Sequence, residues 1–320
     1  MKAAVVTSFD AAPRFQEFPA PVAAGEDEMV VDVLAAGLHP LVRSRASGTH
    51  YSSTGELPLV PGADGVGRGP DGQLRYFILD GTGPGAMAEQ ALIDTRRSVV
   101  LPDGSDPVAV AAAMNPAMSS WVALRRRVPF QAGQNVLVLG GTGNAGRLAV
   151  QVARRLGAGE VIATGRDAGR LAALPALGAT ATVLVDADTD ASAQRLTLAA
   201  EADVVLDYLW GAPAAAAMTA LITSRPDRGR QLTWVTIGSV AGLTAPVPSA
   251  ALRAARLQIV GSGQGSVGTA EIRAELPALA REITSGAFSV RARPVPLAGV
   301  GQAWAETGSP DERIVITPAA

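Results

Sequence analysis

Along the second half of the chain, short runs of apolar residues alternate with longer stretches whose apolar positions repeat at helical spacing. The short runs lie at residues 136–139, 161–164, 182–185, 204–206, 232–237 and 257–260, and each reads as a strand. Unbroken apolar runs suit strands covered on both faces, and parallel neighbours need a long crossover of the kind these helices supply. The pattern predicts a doubly wound parallel sheet, an α/β fold. The first part of the chain differs. Its short β-prone runs, at 3–6, 29–34, 75–79 and 98–101, are separated by glycine- and proline-rich stretches, as in an antiparallel, barrel-like unit.

Between the two, residues 107–127 are alanine-rich, with apolar positions at helical spacing (Val108, Ala111, Ala112, Met114, Trp121, Val122, Leu124) and an interruption at Asn115-Pro116. This reads as a helical bridge between domains. After residue 262 a helix is predicted over 269–285, and β-prone pieces around Val290 and at 314–317 are expected to rejoin the first unit. The expected division is therefore 1–122 with 263–320 for the mostly β domain, and 123–262 for the parallel sheet.

Composition narrows the classes. The 320 residues exceed the size at which one hydrophobic core keeps growing. With 48% hydrophobic and 18% charged residues and a net charge of -2, the chain is an ordered globular protein with no basic surface for nucleic acid. The tight basic cluster Arg125–Arg127 stands beside Pro129, where a helix should end, and reads as C-terminal helix charge. The absence of cysteine excludes disulfides, thiolate catalysis and any Cys-held metal. The first residues enter a β-like segment without signal-peptide features, and no apolar stretch is expected to span a membrane, so the expected compartment is the cytoplasm.

Candidate chemistry begins at the first predicted parallel strand. Gly141-Thr142-Gly143-Asn144-Ala145-Gly146 is a GxGxxG turn between that strand and a helix. In this context the first glycine permits a tight turn, the second lets backbone approach a pyrophosphate, and the third lets helix and strand pack closely. The helix N-terminus then presents free N–H groups to phosphate. Dinucleotide folds that prefer NAD carry an acid at the end of the next strand, where this chain has Gly165-Arg166. A carboxylate there would repel a 2′-phosphate by about 4 kcal/mol at roughly 4 Å and an effective dielectric of about 20. Gly165 removes that charge, Arg166 offers a bidentate fork, and Arg170 stands one turn on, so NADPH is the expected cofactor. Asp167 taking the ribose is the competing reading. Tyr208, Gly238 and Ser239 follow later strands at their carboxyl ends, where ligands sit in open α/β sheets, and are further cofactor candidates.

The chain resembles the medium-chain dehydrogenase/reductase superfamily and, within it, the zinc-independent quinone oxidoreductases. The resemblance rests on Ala36-Gly37-Leu38-His39-Pro40, on the segment 57–67 with Pro61-Gly62-Ala63-Asp64-Gly65, on the glycine loop with Ala149-Val150-Gln151, and on Ala303-Trp304 and Glu312-Arg313. It implies a GroES-like catalytic domain split around a Rossmann domain, and a homodimer joined through the last strand of the Rossmann sheet. The zinc positions of zinc-dependent relatives correspond to His39, Gly62-Ala63-Asp64 and Asn115, a set that does not hold zinc. Without that Lewis acid, easily reduced acceptors are implied: a quinone or an α,β-unsaturated carbonyl as the small electrophilic substrate. His39 and Tyr51 are the expected catalytic residues. Arg43 is expected as an anion ligand or a surface residue, and His50 as exposed. The competing functions are an enoyl-thioester reductase and a non-catalytic NADPH-binding protein.

Overall fold

A computed structural model describes residues 1–50, 53, 55–186, 189–263, 265–306 and 312–318. Two compact units divide it: residues 1–115 with 269–320, and residues 116–268.

The first unit opens with β1 (Lys2–Val5), β2 (Arg14–Glu17) and β3 (Glu28–Gly37), then α1 (Pro40–Ala46), β4 (Asp64–Arg68), β5 (Leu74–Ile78), β6 (Gln90–Asp94) and β7 (Ser98–Val100). Three of these strands escape the apolar pattern. β2 is exposed throughout, β4 carries Gly65 and Gly67, and β6 alternates buried and half-buried positions. Helix α2 (Pro107–Val122) then runs unbroken through Pro116, although an interruption was expected there. A five-residue π turn, Ala123–Arg127, closes it on three arginines, and the Arg125 guanidinium stacks 5.2 Å from the Trp121 ring. Together 107–127 is long and apolar enough to cross a membrane by length and composition, contrary to expectation; most of it is buried within the protein, as in a core helix.

The second unit alternates β8 (Val136–Leu139), α3 (Asn144–Arg155), β9 (Val161–Gly165), α4 (Ala168–Leu171), β10 (Ala181–Leu184), α5 (Thr189–Leu196), β11 (Val204–Asp207), α6 (Gly211–Ser224), β12 (Leu232–Thr236), α7 (Ser249–Ala254) and β13 (Leu257–Gly261). Among the described residues its strands form one six-stranded sheet in the order β10-β9-β8-β11-β12-β13, with all pairs parallel. β8, β9 and β11 are buried at every position, as strands covered by helices on both faces must be. Leu137, Val205, Met218, Leu221 and Trp234 centre the core, each such side chain contributing about 1.5–3 kcal/mol by leaving water.

The chain ends in α8 (Thr269–Thr284), β14 (Ala292–Pro296), α9 (Val300–Ala305) and β15 (Arg313–Thr317), which belong to the first unit. β15 pairs antiparallel with β3 and parallel with β14, completing the sheet β14-β15-β3-β4-β5-β7, with β6 also on β3. A register shift in β3 between Val33 and Ala35 bends that sheet.

Candidate cofactor and catalytic sites

Because the strands of the second unit run parallel, the loops after β8, β9, β11 and β12 leave from one edge of the sheet. The predicted cofactor residues lie in these loops, in the first turns of the helices they open or, for Gly165, at the last position of β9.

The tight turn expected at Gly141 is made by Gly140, whose φ of 85° lies in the region glycine favours. Gly141 is needed for packing instead: a Cβ there would lie 2.8 Å from Ala163 Cβ. The loop is tied to the end of β9 by Gly141 N–H donating to Thr164 O at 2.8 Å and Gly140 N–H to Thr164 Oγ1 at 3.2 Å. A Cβ on Gly146 would sit 2.2 Å from Gly140 O, so α3 starts this close to the turn only because that residue has no side chain. Gly143 is different. Its φ is -79°, and a Cβ would meet nothing nearer than Gly140 O at 3.7 Å. Neither backbone nor packing demands glycine there, and the space beside it is open. Gly143 is also the N-cap of α3 and offers no capping side chain, so no cap shields the first turn of Asn144, Ala145 and Gly146 from an anion. This loop fits a dinucleotide pyrophosphate.

Gly165 closes β9, with Thr142 packed directly over it. Arg166 is exposed and makes no hydrogen bond or ion pair among the described residues. Asp167, the competing ribose ligand, caps α4: its Oδ1 accepts from Arg170 N–H at 3.0 Å, and its Oδ2 lies 3.7 Å from Arg170 Nε.

At the end of β11, the wholly buried Asp207 accepts from Leu209 N–H (2.8 Å) and Trp210 N–H (3.0 Å) on Oδ1 and from Trp234 Nε1–H (2.9 Å) on Oδ2. Burial pushes its carboxyl above the ordinary range, and these donors pull the other way. They also hold Trp210 at a φ of 52°, which a non-glycine residue seldom adopts. The following loop locks onto this turn: Gly238 packs where a Cβ would meet Tyr208 O at 2.7 Å, and Ala241 N–H donates to Leu209 O at 2.8 Å. Tyr208 is buried, its hydroxyl 2.9 Å from Ser119 Oγ, and burial pushes the phenol up to about 12. Ser239 is exposed at the start of the loop.

In the first unit His39 ends β3's extension and caps α1 by position only. Its ring turns inward, and Nε2 lies 2.8 Å from Asp64 Oδ1 on β4. Tyr76 on β5 donates its hydroxyl to Asp64 Oδ2 at 2.8 Å. All three are buried, and burial together with the Asp64 charge pushes the Tyr76 phenol far up. Arg313 on β15 donates from Nη1 to Leu38 O at 3.2 Å; burial brings its guanidinium down to about 10, and Asp64 opposes that shift. A carboxylate with both oxygens so engaged places a His39 hydrogen on Nε2 and leaves Nδ1 as the other polar atom of the ring. Sequence reasoning named His39, and knew Asp64 only as the counterpart of a zinc-motif acid. Tyr76 was missed, since its one signal was a tyrosine in a predicted strand. Tyr51 lies outside the described residues.

Two expectations are corrected. Arg43 neither faces solvent nor waits for an anion: it donates to Trp304 O (2.6 Å), Glu306 O (3.0 Å) and Ala303 O (3.3 Å), covering the last turn of α9 with its cation 5.2 Å from the Trp304 ring. His50 is half-buried, and burial with the nearby Arg45 charge lowers its pKa. Zinc does not fit the positions its relatives use: His39 Nε2 is committed to Asp64 and Ala63 has no donor atom. Among the described residues no three His, Asp or Glu side chains converge as ligands.

A six-stranded parallel sheet with its glycine loop at the switch point, joined to a mostly antiparallel unit, defines a two-domain dinucleotide-binding protein. Residues 145–284 match the family model of zinc-binding dehydrogenases. A probable NADPH-dependent quinone reductase of Emericella nidulans is 28% identical over 99% of this chain and 100% of its own length. An NADPH-dependent alkenal/one oxidoreductase of Arabidopsis thaliana is 30% identical over 43% of this chain and 40% of its own. A mycobacterial quinone oxidoreductase shares the fold at a TM-score of 0.82 and 22% identity, over 99% of this chain and 100% of that one. The chain is thus similar to zinc-binding dehydrogenases over residues 145–284 and to a probable quinone reductase along nearly its whole length, and it shares the fold of a quinone oxidoreductase.

Proposed function

We propose that the protein is an NADPH-dependent oxidoreductase that reduces a quinone or an α,β-unsaturated carbonyl without zinc. The observation that carries this reading is the glycine loop, where neither backbone nor packing asks for glycine at 143 and the first turn of α3 is left uncapped by any side chain, as an approaching phosphate would need. The end-to-end relationship to a probable quinone reductase supports the acceptor class.

Gly141, Thr142, Gly143, Asn144, Ala145 and Gly146 would hold the pyrophosphate. Gly165, Arg166 and Arg170 would receive the 2′-phosphate end, and Tyr208, Gly238 and Ser239 would border the nicotinamide end. When bound, the cofactor supplies the hydride from its reduced nicotinamide. The protein's own work is orientation and proton supply. His39, carrying hydrogens on both ring nitrogens, would give the Nδ1 proton to the substrate oxygen and keep on Nε2 the hydrogen that Asp64, braced by Tyr76, accepts; solvent would then return a proton to Nδ1. Tyr51 remains a proposed catalytic neighbour on the resemblance alone. A homodimer joined through β13, an outer strand of the Rossmann sheet, would cover its free edge.

The test is oxidation of NADPH, with NADH as control, against a panel of quinones, enones and enoyl thioesters. Turnover of quinones or enones with NADPH supports the proposal. Turnover confined to thioesters would replace it with the enoyl-thioester reading, and tight binding without turnover on any acceptor with the non-catalytic one.

A further inference from the structure

Resting on the NADPH reading, we infer that Thr142 is a specificity-determining residue: its side chain bars any side chain, and so any carboxylate, from the end of β9. Position 165 is the last residue of that strand, where NAD-preferring folds carry an acid for the ribose 2′-hydroxyl. A Cβ built on Gly165 would lie 2.4 Å from Thr142 Cγ2, 3.0 Å from Thr142 Oγ1 and 3.1 Å from Leu171 Cδ2. Backbone strain is not the reason for the glycine, since Gly165 is ordinary strand and its φ lies outside the left-handed region.

Side-chain rotation relieves the conflict only in part. Two of the three staggered positions on Thr142 Cβ point toward Gly165, and threonine fills two of its three with heavy atoms. Every rotamer therefore keeps at least one heavy atom close to where the new Cβ would be. Serine fills a single position and can turn away. Nor can Thr142 move aside as a whole, because its neighbour Gly141 is held by a 2.8 Å hydrogen bond to Thr164 O and by its packing on Ala163.

The consequence reaches the adenosine end of the site. With position 165 closed to a carboxylate, Asp167 committed to capping α4 and Arg166 exposed without a partner among the described residues, the end of β9 presents a cation and no competing acid. A 2′-phosphate is favoured because an unavailable carboxylate cannot repel it. The glycine loop and the 2′ subsite are thereby one unit: the residue that helps to cradle pyrophosphate also sets the choice between the two nicotinamide cofactors.

The test is calorimetric binding of NADPH, NADH, 2′,5′-ADP and 5′-ADP to the wild type, Gly165→Asp, Thr142→Ser and the double variant, with Gly165→Ala alone and with Thr142→Ser as the smaller steric probe. Gly165→Asp or Gly165→Ala alone should weaken both cofactors roughly tenfold, because the inserted atom displaces the loop that both share. In the Thr142→Ser background Gly165→Ala should recover most of that loss, and Gly165→Asp should reverse the preference toward NADH and 5′-ADP. Rescue by the second change also shows that the first variant folds. Gly165→Asp alone giving a tight NADH binder would overturn the role of Thr142, as would a double variant that still prefers NADPH. A wild type that binds both cofactors equally would overturn the NADPH reading itself, and that outcome is seen before any variant is made.

Discussion

Asp64 is the residue on which the proposed chemistry of the first unit turns, because it is wholly buried and receives both His39 and Tyr76. Asp64→Asn keeps the shape but removes the carboxylate, leaving one amide oxygen where two oxygens now accept from His39 and Tyr76. If His39 supplies the proton, kcat should fall about tenfold or more while NADPH affinity measured by calorimetry stays as it was. An unchanged kcat would mean the pair only braces the start of α1. Tyr76→Phe leaves one carboxylate oxygen without its donor and should cost about 1–3 kcal/mol in urea unfolding. Tyr208 carries a pH signature of its own. Its phenol is raised from 10 to about 12 in the folded state, so the stability it contributes is complete below pH 10 and is lost as pH rises through about 12. The difference amounts to roughly 3 kcal/mol, and Tyr208→Phe should flatten the alkaline limb of a stability profile by about that much. None of these partnerships was legible locally. His39 and Asp64 are far apart in sequence, and only the registers of β3 with β4 and of β4 with β5 bring the three groups together.

At the scale of elements, the β8-turn-α3 unit separates glycines needed by the fold from the one needed by the ligand. Gly146→Ala places a Cβ 2.2 Å from Gly140 O and should both lower the thermal midpoint and weaken NADPH binding. Gly143→Ala meets only an ordinary contact at 3.7 Å, so stability should change by no more than about 0.5 kcal/mol while NADPH binding still falls. Equal loss of stability in the two variants would remove the argument that Gly143 is kept open for phosphate. The parallel strands were readable because burial on both faces leaves unbroken apolar runs. Elements that depend on tertiary context were not. β4 hides behind Gly65 and Gly67, where added Cβ atoms would meet Phe77 Cζ at 2.9 Å and Val31 Cγ2 at 2.8 Å. α2 runs through Pro116 where a local rule breaks it, since the buried small side chains on both sides of the proline outweigh one lost hydrogen bond.

At the scale of the whole molecule, the chain joins a parallel sheet suited to a dinucleotide to a mostly antiparallel unit with a buried imidazole-carboxylate-phenol chain. β13 is an outer strand of its sheet, so a homodimer that extends the sheet should show twice the chain mass by light scattering; a monomer at all concentrations would leave that edge covered by nothing. The central claim is NADPH-dependent reduction of an electrophilic carbonyl compound, and the most direct measurement is loss of the reduced-nicotinamide absorbance with a quinone or enone present, NADPH against NADH. The account predicts turnover with a clear preference for NADPH. Absence of turnover together with no calorimetric binding of NADPH would contradict it.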